Sequence, residues 1–284
     1  MTFKRDHIRE ISNWWDEFFP KIREKPLLLI GLCLFLVLCL IAIFAPVIAP
    51  HDPSEQNLKN RFSGPCLEYP LGTDQFGRCN FSRVIYGSQS SISIAVISTV
   101  FVVIIGVLIG LFAGYYRKLD GILMRFTDLM LAFPSMVITL ALVGIYGPNV
   151  VSIIIALIIP GWAKYARVTR ATTLSLKNRG FVEGSKAIGA SNSHILFKHI
   201  LPHTLAPIME IATLGLGSKI ISIAGLGFLG LGVQPPTPEW GTIMNQGLPL
   251  LEKAPWIALS AGLMIVIFVL STNLIGSEIR DVMD

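Results

Sequence analysis

A chain of 284 residues that is 52% hydrophobic and only 14% charged departs from soluble globular domains, which carry about 25% charged residues. The mean hydropathy of +0.64 excludes a disordered chain, which would be charge-rich and poor in aliphatic residues. The apolar residues are gathered in long uncharged runs, which reads as an all-α, polytopic membrane protein.

Residues 1–26 carry Ile8, Ile11, Trp14, Trp15, Phe18 and Phe19 among basic residues, a pattern expected to lie as an amphipathic helix on the cytoplasmic membrane surface. A poorly ordered tail is the alternative. A cleavable signal is not expected, because the apolar run from Leu27 exceeds the 7–15 residues or so of an h-region. Six transmembrane helices follow: Leu27–Ile48, Ile92–Gly114, Phe126–Ile145, Val150–Ala163, Ile211–Gly232 and Trp256–Leu274. A spanning helix needs about 20 residues, so the Val150 segment is short; it is expected to continue past Tyr165 into water. Residues 49–91 form an extracytoplasmic segment. Residues 92–284 form the core, interrupted by a polar loop at about 164–207.

Lys and Arg orient the chain. They crowd the N-terminal tail, the turn before the third span (Arg117, Lys118, Arg125) and the segment after the fourth (Lys164, Arg167, Arg170, Lys177, Arg179, Lys186, Lys198). Only Lys59, Arg61, Arg78, Arg83 and Lys253 fall on the other side. The positive-inside rule then puts both termini in the cytoplasm. The net charge of +5 is thus a topology signal, and no nucleic-acid partner is expected. Lys219 stands inside a span.

Between Ala163 and Pro207 the chain is polar enough to leave the membrane yet stays helical in pattern. Gly180, Gly184 and Gly189 punctuate it, Ser191 and Asn192 suit N-caps, and Pro202 and Pro207 should stop its second half. The reading is a helix, a turn at Gly189–Ala190–Ser191 and a second short helix, a unit able to present its turn to a cytoplasmic partner.

Glu183-Gly184-Ser185, then Gly189, then Ile200-Leu201-Pro202 resembles the EAA loop of ABC importer permeases, which inserts a short coupling helix into an ATP-binding subunit. The usual Ala-Ala after the Glu is here Gly184 and Ser185; both are small, although Gly weakens a helix by about 1 kcal/mol relative to Ala. The resemblance implies that Arg179, Phe181, Glu183, Gly184, Ser185, Gly189, Ala190, Ser191, Ile200, Leu201 and Pro202 couple the chain to an ATPase. Further along, Gly72-Thr73-Asp74 with Gly77-Arg78 and Ser82-Arg83, Phe133-Pro134, the Phe228–Gly232 run, Gln234-Pro235 through Trp240-Gly241, and Arg280-Asp281 resemble the second permease of dipeptide, oligopeptide and nickel importers. That likeness implies an ABC importer permease fold in the bacterial cytoplasmic membrane. It implies as partners a homologous second permease, two ATP-binding subunits and an extracytoplasmic substrate-binding protein. Gly72, Thr73, Asp74, Gly77, Arg78, Ser82, Arg83, Gln234, Pro235 and Trp240 would face that binding protein.

The chain carries no G-x-x-x-x-G-K-[ST] loop, so it is not expected to be an enzyme; it needs no cofactor of its own, and ATP and Mg would sit on the partner subunits. His199 and His203 are four apart, but Ile200, Leu201 and Pro202 lie between them, and no metal site is expected. A channel or ion-coupled transporter should place acids inside its spans; Asp128 and Glu210 lie near span ends. The context of Tyr165-Ala166-Arg167 and of Ile223-Ala224-Gly225 resembles nickel and metal-chelate permeases, which favours metal cargo, with di- or oligopeptides as the alternative. Cys33 and Cys39 lie in the first span. Cys66 and Cys79 lie in the oxidising outer compartment, where disulfides persist, and Cys79 stands where peptide permeases of this family usually have Asp; a Cys66–Cys79 disulfide is expected, with two free thiols or a transient metal relay as alternatives. Lys219 is expected to line the translocation pathway, because a Lys at membrane depth faces a cavity or a partner; a structural Lys bonded to a neighbouring helix is the alternative.

Overall fold

Inside lipid every backbone polar group must be satisfied internally, which leaves helices as one of two solutions. The computed structural model describes residues 25–283 and builds them almost wholly from helices. All but the last two residues of the expected N-terminal amphipathic helix lie outside the described residues. Helix α1 (Pro26–Ile43) places its proline in the first turn, where a missing N–H has no intrahelical partner to lose. After a break at Phe44, α2 (Ala45–Ile48) ends the first span.

Helix α3 (Asn80–Tyr115) is 36 residues long and starts well before the expected Ile92. Its first turns bury Ser82, Arg83, Ser88 and Ser91 against protein, so polarity there does not end the helix. Helices α4 (Arg117–Ala132) and α5 (Ser135–Tyr146) correct the expected third span: they meet at 84° across Phe133–Pro134. A residue before proline is pushed out of the α region, and Phe133 is extended (φ −101°, ψ 142°). At 12 residues α5 is too short to cross alone. Helix α6 (Val150–Leu176) is capped by Asn149, whose side chain accepts from the Ser152 N–H at 2.9 Å, and it does continue past Tyr165. Then come α7 (Gly180–Ala187), α8 (Asn192–His194), a π-helical turn over Ile195–Ile200, α9 (Leu201–Phe228), α10 (Trp240–Gly247) and α11 (Pro255–Met283). Among the described residues five helices are long and apolar enough to cross a membrane, or six if the bent α4–α5 pair counts as one span.

Helices α3 and α6 share the most extensive packing among the described residues. Gly106, Gly110 and Gly114 form a small-residue stripe on α3; a Cβ at Gly110 would sit 2.5 Å from the Ala166 carbonyl oxygen and 2.6 Å from Thr169 Cβ. Such stripes let backbones approach where hydrophobic drive between helices is absent. One apolar core joins α3, α6, α9 and α11 around Trp240 and Phe268. A second gathers Val102 and Leu111 of α3, Tyr165 of α6, and Val182, Ile195, Leu196 and Ile200.

Ion pairs show which segments share an end. Lys25 meets Glu278 at 2.9 Å, Arg280 meets Glu210 at 3.5 Å, and Arg170 meets Asp120 at 2.5 Å. The starts of α1, α4 and α9 and the end of α11 therefore lie with the α7–α8 loop. The opposite end holds residues 50–83 and α10.

Candidate functional site

At the loop end, α6 gives way to a hairpin. Lys177 Nζ donates to the Gly114 carbonyl at 3.2 Å, which ties the exit of α6 to the end of α3. Arg179 is the N-terminal boundary residue of α7, and Glu183 sits in its first turn, where the helix dipole favours an acid. The expected turn forms: the Gly189 N–H bonds the Lys186 carbonyl, the Ala190 N–H bonds that of Ser185, and Ser191 Oγ caps the His194 N–H at 3.3 Å. Gly189 has φ +83°, a conformation that glycine adopts without steric cost.

The second half departs from expectation. Pro202 and Pro207 do not stop it; α8, the π turn and α9 run on as one rod. Pro202 falls in the first turn of α9, just past the π turn. Arg179, Phe181, Glu183, Gly184, Gly189, Ser191 and Pro202 are exposed, and Ser185, Ala190 and Leu201 are half-buried. Ile200 is fully buried and anchors the hairpin to α3 and α6. Sequence reasoning passed over Ile188 and Phe197, 86% and 46% exposed. With Phe181, itself in ring contact with His199 and His203, they give the hairpin apolar surface. Large apolar residues in a polar stretch were the available signal.

At the opposite end the expected partner-facing residues prove to be internal. Asp74 is fully buried and accepts from Arg78 Nε at 2.7 Å, Arg83 Nη1 at 2.6 Å and the backbone N–H groups of Phe76 and Arg78. Arg83 Nη2 reaches Gln246 of α10 at 2.8 Å. Trp256 Nε1 donates to the Thr73 carbonyl, and Trp240 Nε1 to that of Val84. Gly72, Thr73, Gly77, Ser82 and Trp240 are buried too; of the set only Gln234 and Pro235 are exposed. A carboxylate able to satisfy two guanidiniums draws them inward together. Glu239 is equally buried: it takes the Gly241 and Thr242 N–H groups, Thr242 Oγ1 and Ser91 Oγ, at 2.8 to 3.1 Å. Burial pushes its carboxyl up, while those four donors pull it back down.

The expected disulfide is corrected as well. Cys66 and Cys79 are free thiols. Cys79 is buried where Thr73 bridges it antiparallel at the start of α3. Cys66 is exposed, in a turn whose Tyr69 N–H points to its Sγ at 3.4 Å. Among the described residues no group of three or more His, Cys, Asp or Glu could hold a metal ion.

Midway along the bundle, α4, α5, α6 and α9 line an open pocket of about 260 Å³. Lys219 lines it, and its Nζ lies 3.4 Å from the Leu157 carbonyl. Pro160 inside α6 removes the N–H that the Ala156 carbonyl would accept; Thr139 Oγ1 covers that oxygen at 3.2 Å. Lys219 thus lines the pocket and also contacts a carbonyl of the neighbouring helix.

A buried ionic frame at one end, a hairpin at the other and a central cavity suit a membrane conduit, and comparison with known proteins identifies it. Residues 106–281 match the family described as binding-protein-dependent transport system inner membrane component. The chain belongs to that family. Residues 13–65 also match the N-terminal TM domain of oligopeptide transport permease C. The dipeptide transport system permease protein DppC of Alkalihalophilus pseudofirmus is 41% identical over 271 residues, 95% of this chain and 89% of that one. The di/tripeptide permease DppC of Pseudomonas aeruginosa is 40% identical, covering 94% and 91%. The glutathione permease GsiD of Escherichia coli O157:H7 is 39% identical, covering 97% and 91%. A solved chain of the MetNI methionine ABC transporter shares the fold, with a TM-score of 0.59 at 20% identity over 70% of this chain and 96% of that one. This family member is thus a multi-pass inner-membrane permease of an ABC importer, not an ATPase, and it works with a binding protein. The expected nickel or metal-chelate cargo finds no support: these relatives carry the names of peptide and glutathione permeases.

Proposed function

We propose that this permease forms one half of the pathway of a di- or tripeptide importer, paired with a homologous permease and driven by two ATP-binding subunits that hold ATP and Mg. The observation that carries the cargo is the likeness of about 40% along nearly the whole chain to dipeptide, di/tripeptide and glutathione permeases; glutathione is itself a tripeptide. The side rich in Lys and Arg, with the hairpin, faces the cytoplasm by the positive-inside rule. There Phe181, Glu183, Ile188 and Gly189 offer an exposed surface to an ATP-binding subunit. The frame around Asp74 faces outward, where the binding protein delivers cargo.

The test is uptake in cells lacking the gene, with the plasmid-borne gene restoring it. Labelled di- and tripeptides should enter only with the gene, and labelled nickel should enter equally with and without it. Gene-dependent nickel uptake without peptide uptake overturns the peptide reading.

A further inference from the structure

We infer that the cavity walled by α5, α6 and α9 is a carboxylate station on the translocation pathway, with Lys219 as the group that receives the anion. The inference rests on the peptide-import reading, since every linear peptide brings a carboxylate at its C-terminus.

Lys219 is nine-tenths buried, and its one hydrogen bond is the 3.4 Å contact with the Leu157 carbonyl. An ammonium carries three donors, so two are left without an acceptor among the described residues. Among the described residues no carboxylate lies within ion-pair distance of it. The ion pairs that these helices form among the described residues, Arg167–Asp128, Arg170–Asp120 and Arg280–Glu210, lie toward the hairpin end. A cation placed this deep, away from acids, leaves a positive field in the cavity that cargo can neutralise.

The walls mix apolar and polar side chains. Ser135, Thr139, Ser218 and Ser222 line the cavity beside Lys219. Two backbone breaks also lie on it: the α4–α5 bend just before Ser135, and Pro160 of α6. Irregular backbone at membrane depth is tolerated only where it is buried in protein or lines a water-filled cavity. Gly161 adds room, since a Cβ there would come 3.4 Å from Lys219 Nζ and 2.8 Å from Val102. The cavity of about 260 Å³ holds a carboxylate with its adjoining residue, so cargo would engage Lys219 end-on.

The test uses the full transporter in cells, with Lys219→Arg, Lys219→Met and Lys219→Glu each compared with wild type on the same peptide, so that selection by the binding protein cancels. Three dipeptides serve as probes: Ala-Asp, Ala-Ala and Ala-Lys. Lys219→Arg should keep uptake. Lys219→Met should lower it about tenfold, as loss of one charge-assisted contact does. Lys219→Glu should lower it further, most for Ala-Asp and least for Ala-Lys, with ATP hydrolysis still stimulated by loaded binding protein. Wild-type uptake in Lys219→Met overturns the inference, as does a loss in Lys219→Glu no greater than that in Lys219→Met. Loss of membrane-inserted protein in Met and Arg variants alike makes Lys219 a structural prop and overturns it too. Failure of the wild-type transporter to carry any dipeptide is read separately; it refutes the peptide assignment and this inference with it.

Discussion

Replacing Asp74 by Asn keeps the side-chain shape and removes one charge from a fully buried position. Asp74 Oδ2 lies 2.7 Å from Arg78 Nε and 2.6 Å from Arg83 Nη1, and all three side chains are buried. Oδ1 can still accept the Phe76 and Arg78 N–H groups, but an Asn Nδ2 in place of Oδ2 sets a donor against two donors. Breaking a buried pair costs about 3–5 kcal/mol because the remaining charge is uncompensated; with two guanidiniums stranded, Asp74→Asn belongs at the upper end. At about 5 kcal/mol that corresponds to a several-thousandfold shift in the folded population. The assay is the amount of the assembled complex in membranes and its thermal midpoint in detergent. A second Arg83→Gln substitution should recover part of the loss, and the double-mutant cycle isolates the coupling. If Asp74→Asn accumulates and melts like wild type, the buried frame is not what holds this end together. Lost uptake on top of that would mark Asp74 as a cargo or partner contact.

Gly189→Val should leave the protein in the membrane at normal levels but uncouple ATP hydrolysis from uptake, because a left-handed residue costs an L side chain about 1–2 kcal/mol. Gly189→Asn, which tolerates that conformation, should retain most uptake. Glu239→Gln should lower the thermal midpoint, since an amide leaves one of the Gly241 and Thr242 N–H groups unmatched at about 1–3 kcal/mol; an unchanged midpoint would show that the α10 cap is dispensable. Gly110→Leu should prevent accumulation of the folded chain, because its side chain would enter the Ala166–Arg170 backbone of α6. On native complex, a membrane-impermeant maleimide applied from the outside should label Cys66 and spare Cys79, as mass spectrometry of the modified peptides would read; failure to label Cys66 without prior reduction would restore the disulfide.

How legible the molecule was in its sequence depends on what each residue's neighbours had to reveal. Spans such as α1 and α11 follow from apolar length alone, and the Gly189 turn follows from local chemistry. The break at Phe133–Pro134 was hidden because hydropathy averages over Phe126–Ile145, while a residue before proline acts on one dihedral pair. Asp74, Arg78 and Arg83 read as a solvated outer segment, because charge type carries no information on burial until a chain from α10 supplies Gln246 and closes the site. The Gly106–Gly110–Gly114 stripe stood in plain view, yet its worth lies in α6, which presents Ala166, Thr169 and Thr173 to it. Lys219 was the opposite case: one cation in an apolar run announces a cavity or a partner, and both the cavity and the Leu157 carbonyl are there.

The hairpin and the cavity belong to one mechanical element. Helix α9 runs from Leu201 to Phe228, so Lys219 lies about 27 Å along its axis from the hairpin, at 1.5 Å per residue. A tilt of α9 about its hairpin end then displaces Lys219 by roughly half an ångström per degree. The hairpin end cannot absorb such a tilt by itself, because Val182, Ile195, Leu196 and Ile200 are packed without exposure against α3 and α6, and close-packed cores switch rather than flex. Tyr165 adds a second tie, its hydroxyl donating to the Ile211 carbonyl of α9 at 3.3 Å. Force applied at Gly189 therefore has a short path to the cation in the cavity. The two Gly189 variants read that path: if Val and Asn differ in uptake while both assemble and bind the ATP-binding subunit, the turn transmits motion; if they transport equally, α9 moves without it.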